Sequence, residues 1–328
     1  MKLQRILMLK MSGEDVKFLQ TKLKEHGFFK ERVDSNFGQN TLVAVTNFQR
    51  ELGIKADGTV GSLVWKRLQD YGVEKVEVSN NDIPNKVSFI DINNGLTIYD
   101  SFISEDQYIK EEVKKETIWL HHTGGGSRPD WSVNGMKNDI VKDKRGNPVL
   151  DENGNVQLYQ VASSYIIGRK SSSTNENLWD GKILRTFDDK YWSNHLGIKD
   201  NDVELNSKSI SIELCNYGPL TLGTDGRFYN SVNKFISESD VVKLDKPYRG
   251  YEYYEKYTDA QLESTRKLIQ HLINKYGISI QAEMYTNEWF DYNESWFKNG
   301  GIRSHSQVRK DVFDLFPQKE MIQMLNSL

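Results

Sequence analysis

The stretch ETIWLHHTGGG, residues 116–126, decides how this chain is read. Ile118, Trp119 and Leu120 form a short continuous apolar run, the pattern of a strand buried on both faces. The run ends on two imidazoles, His121 and His122, followed by Thr123 and three glycines. A histidine carried at a strand end beside an open glycine-rich loop sits where α/β sheets tend to place their active sites. Downstream, residues 163–168 (SSYIIG) and 209–215 (SISIELC) are also strand-like. Residues 258–276 read as a helix with Leu262, Leu268 and Leu272 along one side. Strands mixed with helices predict an α/β domain, a mixed central sheet flanked by helices.

Upstream the pattern changes to helical spacing alone. Residues 14–26 place Val16, Leu19 and Leu23 on one face, with Gly27 as a stop. Residues 39–52 repeat this with Leu42, Val45, Phe48 and Leu52 before Gly53, and residues 61–70 add Val64 and Leu68. The prediction is a small all-α three-helix bundle over 1–72. Two of its connections, Asp34 to Gly38 and Asp57 to Gly61, share an Asp and a Gly four apart, a weak internal repeat. Residues 73–88 lack periodicity and contain Pro84, so they read as a linker to a larger domain over 89–328. Insertions are expected near 126–157 and 280–300. In the first, two turn signals within 143–157 predict a hairpin or exposed loop. The second is rich in aromatics over 285–300, for which a small satellite core ranks ahead of a cleft wall.

Composition narrows the function classes. With 328 residues, two domains are the natural expectation, and 37% hydrophobic with 27% charged residues is ordinary globular composition. A formal net charge of −3 argues against a nucleic-acid binder. No apolar run approaches the length of a membrane span, so no membrane insertion is expected, and a monomer is. The single cysteine, Cys215, excludes an intramolecular disulfide and suits a reducing cytosol. Gln4, Arg5, Lys10 and Glu14 interrupt any secretory apolar core, so no signal peptide is expected.

Candidate chemistry centres on histidine and carboxylate. Zinc hydrolysis needs neutral imidazole and carboxylate or thiolate ligands with one position left for water. Of the six histidines, His26 and His271 lie on helical stretches that explain them as surface residues. His305 is followed by Asp311 and Asp314, either of which could supply a carboxylate ligand. Glu213 interrupts the strand 209–215: Ile210, Ile212 and Leu214 point to one face, Ser211, Glu213 and Cys215 to the other. Either this is an edge strand with a solvated outer face, or Glu213 is a general base facing a cleft.

Two resemblances absorb these residues. Leu19-Gln20, Gly27-Phe28, Asp34, Phe37-Gly38, Thr41, Ala44-Val45, Phe48-Gln49, Gly53-Ile54, Asp57-Gly58, Val60-Gly61, Trp65 and Leu68 resemble the three-helix peptidoglycan-binding domain. The segments 118–123 (IWLHHT), 163–168, 192–197 (WSNHLG), 209–214 (SISIEL), 257–261 (YTDAQ) and the His305 region resemble, in order, the type 2 N-acetylmuramoyl-L-alanine amidases, a family shared by phage endolysins, wall-recycling amidases and animal peptidoglycan recognition proteins. That resemblance implies a zinc ion on His121, His305 and Asp314, with Asp311 the alternative third ligand. Glu213 would be the catalytic carboxylate, and His195 or a nearby cation would help stabilise the oxyanion. It implies bacterial peptidoglycan as substrate, cut between N-acetylmuramic acid and L-alanine, with the bundle raising the local wall concentration. Two departures stand out. Ser163 and Ser164 precede Tyr165 where family members often have His or Tyr, and Val312 stands where a Lys often does, with Arg309 or Lys310 as substitutes. A wall-binding domain without a leader suggests a phage endolysin held in the host cytoplasm until a holin releases it, or a virion-associated lysin. The rival readings are a non-catalytic peptidoglycan-binding protein and an enzyme cutting within the stem peptide.

Overall fold

The computed structural model describes residues 5–51, 56–70, 87–91, 95–144, 146–151, 154, 156–171, 177–198, 202–280 and 285–328. Three helices open the chain, α1 (Glu14–Glu25), α2 (Gln39–Glu51) and α3 (Ser62–Asp70). Val16, Leu19, Leu23, Val45, Phe48 and Leu68 are fully buried in one cluster, as their spacing requires. The repeated Asp turns have a common internal logic. Gln20 of α1 donates from Nε2 to Asp34 Oδ1 at 2.7 Å, while its Oε1 accepts from the Asp34 and Ser35 N–H groups. Gln49 of α2 donates to Asp57 Oδ1 at 3.0 Å and accepts from the Gly58 N–H at 2.7 Å. Each buried glutamine satisfies a turn that would otherwise bury bare backbone donors. Gln20→Ala should therefore destabilise the bundle by about 1–3 kcal/mol, the cost of buried polar groups left unpaired. Chemical denaturation followed by far-UV circular dichroism checks this, and an unchanged midpoint would contradict it.

The larger domain is built on a seven-stranded sheet. In chain order its strands are β1 (Val87–Asp91), β2 (Leu96–Asp100), β3 (Thr117–His122), β4 (Tyr165–Ile167), β5 (Ile183–Arg185), β6 (Ser209–Leu214) and, near the end of the chain, β12 (Gly301–Ser304). The order across the sheet is β1-β2-β5-β4-β6-β3-β12. The pairings β1/β2 and β4/β5 are antiparallel and the others parallel, so the sheet is mixed. Strand β6 has β4 on one side and β3 on the other, which removes the edge-strand explanation of Glu213.

Helices cover both faces. Ile118, Leu120, Ile210, Ile212 and Leu214 pack with Leu262, Leu268 and Leu272 of α6 (Asp259–Tyr276) and Met321 of α7 (Lys319–Leu325). Helix α6 begins at a capping box, with Thr258 Oγ1 accepting from the Gln261 N–H, and ends at Gly277 in the left-handed region. On the other face Ile166, Leu184 and Cys215 pack with Val133 of α4 (Pro129–Lys137), and Trp119 with Leu205 of α5 (Asp202–Ser207). Between β6 and α6 the chain makes a second, antiparallel sheet, β7 (Pro219–Leu222), β8 (Phe228–Tyr229), β9 (Phe235–Ile236), β10 (Val241–Tyr248) and β11 (Tyr251–Glu255). The buried Arg169 ties it down, its Nη1 donating to Glu255 Oε1 at 2.5 Å.

Most of the expected linker, residues 73–86, lies outside the described residues, and Val87 and Ser88 already belong to β1. The first insertion carries α4 and then isolated bridges, Lys142 to Pro148 and Leu150 to Val156, that make a hairpin-like arm. In the second, Tyr285, Trp289 and Phe290 are buried in the α6 core, so its aromatics fill space and leave the cleft to other segments. His26 is not a simple surface residue. It is half-buried with Nε2 3.1 Å from the Leu68 carbonyl, joining α1 to α3. Among the described residues no helix is long and apolar enough to cross a membrane.

The bundle is seated on the larger domain. Trp131 of α4 packs against the bundle core, with the Arg67 guanidinium 5.6 Å from its ring centre. Lys234 Nζ lies 2.6 Å from Glu51 Oε1, and Lys142 Nζ lies 3.0 Å from Asp57 Oδ2. Backbones also meet closely, since a Cβ on Gly126 would lie 2.5 Å from the Glu51 carbonyl oxygen.

Candidate active site

Parallel pairing in register puts His121 of β3 directly beside Glu213 of β6. Neighbours in register share a face, so both side chains leave the sheet on the side opposite α6. His122 points the other way, into the core, where its Nδ1 lies 2.9 Å from the Tyr257 hydroxyl and Gly218 passes close to its ring. Strand β12 runs parallel to β3 and delivers His305 just past its end, beside His121 with ring centres 4.5 Å apart.

Asp314 returns to the same point. Its Oδ2 lies 3.0 Å from His305 Nδ1 and 3.4 Å from His121 Nδ1. One ligand atom from each of the three residues falls within 4.8 Å of the others, and all three residues are buried. The far nitrogens of both rings face acceptors. His305 Nε2 lies 2.8 Å from the Leu196 carbonyl, and His121 Nε2 lies 3.1 Å from His195 Nδ1. A carbonyl can only accept, which assigns the proton of neutral His305 to Nε2 and turns the Nδ1 lone pair inward. With the same tautomer at His121, two lone pairs and a carboxylate oxygen converge, a donor set for a divalent cation such as zinc.

Electrostatics follow from burial. The His121 imidazole is pushed down to about 4 by desolvation and by His305, so it is neutral and competent to ligate. Burial opposes the charged form of Asp314, but His305 and His121 outweigh it and hold the carboxyl well below the usual range. Burial likewise lowers His305 while Asp314 raises it, with a net upward shift. Glu213 is the opposite case. Desolvation, then the Asp314 charge, pushes it up to about 7, against the single hydrogen bond its Oε1 accepts from Ser163 Oγ at 3.1 Å. Its Oε2 is buried with no hydrogen-bond partner among the described residues.

Glu213 borders a cleft of about 380 Å³ that is also lined by Thr123, Gly124, Gly125, Ser163 and His195, among others. His195 is engaged at both nitrogens, by His121 at 3.1 Å and by Ser209 Oγ at 2.8 Å. That geometry suits a residue that orients His121 better than one that reaches for substrate oxygen. Asp311 is elsewhere. It is exposed and forks onto Arg309, with Nε to Oδ1 at 2.8 Å. Arg309 also donates to the Gly197 carbonyl, and Lys310 lies 4.4 Å from the centre of the Tyr292 ring, so both cations near Val312 have other partners.

A family model described as N-acetylmuramoyl-L-alanine amidase matches residues 112–312. The chain belongs to the N-acetylmuramoyl-L-alanine amidase family. A peptidoglycan binding domain matches residues 12–68, the helical bundle. The chain is 28% identical over 141 residues to a spore cortex-lytic enzyme of Oceanobacillus iheyensis, covering 42% of this chain and 40% of that protein. With the spore cortex-lytic enzyme of Bacillus cereus it shares 47% identity over 51 residues, 16% of this chain and 20% of that one. The chain therefore spans less than half of these relatives. Among solved structures, PlyL matches with 13% identity and a TM-score of 0.35, over 66% of this chain and 85% of that one.

Within this amidase-family domain, sequence reasoning missed Arg249. It stands in the turn between β10 and β11 and donates to the carbonyls of Ser306, Arg309 and Val312, clamping the loop between His305 and Asp314. Nothing in its local sequence, an arginine after Tyr248 and before Gly250, marks it out. Arg50 of the bundle was missed as well. The sequence reading treats the bundle as a tether, whereas the end of α2 stands at the cleft, with Arg50 among its lining residues.

Proposed function

We propose that this chain hydrolyses the amide bond between the lactyl group of N-acetylmuramic acid and L-alanine in peptidoglycan, using one zinc ion held by His121, His305 and Asp314. The observation that carries the reading is the meeting of three inward-facing ligand atoms with a buried, partner-poor carboxylate one strand away. When bound, zinc supplies a Lewis acid that activates water and polarises the scissile carbonyl. Glu213 takes the proton of the attacking water and passes it to the departing alanine nitrogen, as a C–O bond forms and the C–N bond breaks. Its upward-shifted pKa suits both duties, because a group that must accept and then donate works best near the ambient pH. Ser163 orients the carboxylate, and His195 holds the His121 ring in the ligating tautomer.

The purified protein should hold about one zinc per chain and lose wall hydrolysis on chelation, with recovery on zinc addition, as three protein ligands and an open position imply. Full activity after complete metal removal would overturn the zinc assignment. Arg249→Ala frees the ligand-bearing loop, so zinc affinity should fall by about 10–100-fold, the range typical when an outer support is lost. Competition with a chromogenic chelator measures it, and an unaltered constant would deny Arg249 that role. A lytic role of the endolysin kind rests on the union of a wall-binding bundle and an amidase domain in one chain, and turbidity loss of permeabilised cells tests it.

A further inference from the structure

Arg50 closes α2 of the bundle, yet it lines the cleft that also contains Ser163, His195 and Glu213. It is the one Lys or Arg among the described lining residues. The other formally charged groups there, Asp139 and Glu213, are acids. The side chain is steadied on its own helix, with Nη1 donating to Asn47 Oδ1 at 3.0 Å. Its other guanidinium N–H groups have no hydrogen-bond acceptor among the described residues.

Its position is fixed by its neighbour. Glu51 is 8% exposed and accepts from Lys234 Nζ at 2.6 Å, with Lys234 standing in the turn between β8 and β9. Burial works against charge on both partners, raising the Glu51 carboxyl and lowering the Lys234 ammonium, so each depends on the other for compensation. The glycine loop supplies the second contact, because the Glu51 carbonyl oxygen lies only 2.5 Å from where a Cβ on Gly126 would be. A residue anchored this way is held against Thr123 to Gly126, the loop that follows His122.

We propose that Arg50 is a substrate-positioning residue: its guanidinium receives a carboxylate of the stem peptide, so the wall-binding bundle completes the catalytic cleft. The identity of the ligand rests on the amidase reading. A stem peptide carries free carboxylates, and a cleft otherwise lined by two acids would repel them. A planar guanidinium with unengaged donors matches a carboxylate by forked hydrogen bonds. Arg50 touches none of the metal-ligand residues described above, so it acts on binding and leaves the bond-breaking step to Glu213.

The test uses the full chain carrying Glu213→Gln, so that the ligand survives. Calorimetry measures the affinity for an N-acetylmuramoyl peptide with free carboxylates, and for the same compound with them converted to carboxamides. Adding Arg50→Ala should weaken the first by about 10-fold, one charge-assisted contact, and leave the second unchanged. Arg50→Lys should restore part of the loss. With Glu213 intact, Arg50→Ala should raise KM for the carboxylate compound while kcat stays within about twofold. Unchanged affinity for the carboxylate compound, or equal losses on both compounds, would overturn the assignment. Hydrolysis by the unsubstituted protein is read separately. Carboxylate-selective, Arg50-dependent binding without any cleavage would support Arg50 while retiring the amidase reading.

Discussion

Glu213→Gln is expected to lower turnover by about 10²–10⁴-fold while zinc content and thermal stability stay close to those of the parent. Glutamine preserves the shape and can still accept from Ser163 Oγ, which donates to Glu213 Oε1 at 3.1 Å. What it loses is the proton acceptor. The side chain sits in register with His121, its Oε2 is buried without a partner, and its ionisation is already shifted upward by desolvation and by Asp314. A carboxylate maintained under those conditions is costly unless it has chemistry to perform. Rates on a soluble muropeptide, alongside metal analysis, provide the check. Near-parental rates would assign the proton transfer to another group.

Asp314→Ala should lower zinc affinity by more than the roughly 10–100-fold that loss of an outer support costs, since it removes a ligating atom. Asp311→Ala should be nearly silent. The two acids are close in sequence and differ completely in setting: Asp314 is 6% exposed against both imidazoles, whereas the Asp311 side chain is 67% exposed and paired to Arg309. An exposed pair of that kind contributes little. Zinc titration of the two variants separates them. If Asp311→Ala empties the site while Asp314→Ala keeps its metal, the ligand set proposed for this loop is wrong.

Much of the architecture was legible because its periods are long. Helices α1, α2 and α6 repeat their apolar positions over about two to three turns, and each runs within two residues of the expected span. Strands β3 and β6 were legible as well, β3 from the continuous apolar run of Ile118, Trp119 and Leu120, and β6 from the alternation of Ile210, Ile212 and Leu214 with Ser211 and Glu213. The second sheet was not. Strands β8 and β9 have two residues each, too few for any period, and β10 reads VVKLDKPY, with charges and a proline where alternation should be. Strand β12 begins with glycine and carries Arg303 and Ser304, which hide a strand that lies at the edge of the sheet and is nonetheless buried.

The candidate site divides in the same way. His121, Glu213, His305 and Asp314 stood out because imidazoles at strand ends and a carboxylate within a strand break the surrounding pattern, and the family resemblance tied them together. Arg249 and Arg50 break nothing. One is a turn arginine and the other a cation in the last turn of a helix, each an ordinary choice locally. Their importance arises only from what the fold brings to them, the carbonyls of Ser306, Arg309 and Val312 in one case and the mouth of the cleft in the other.

The most direct test of the amidase assignment is mass spectrometry of purified peptidoglycan digested with the zinc-loaded protein. The expected products are glycan strands with free lactyl carboxylates on their muramic acids and released peptides with a new L-alanine N-terminus. Products cut within the stem peptide or in the glycan, or an undigested wall, would contradict it.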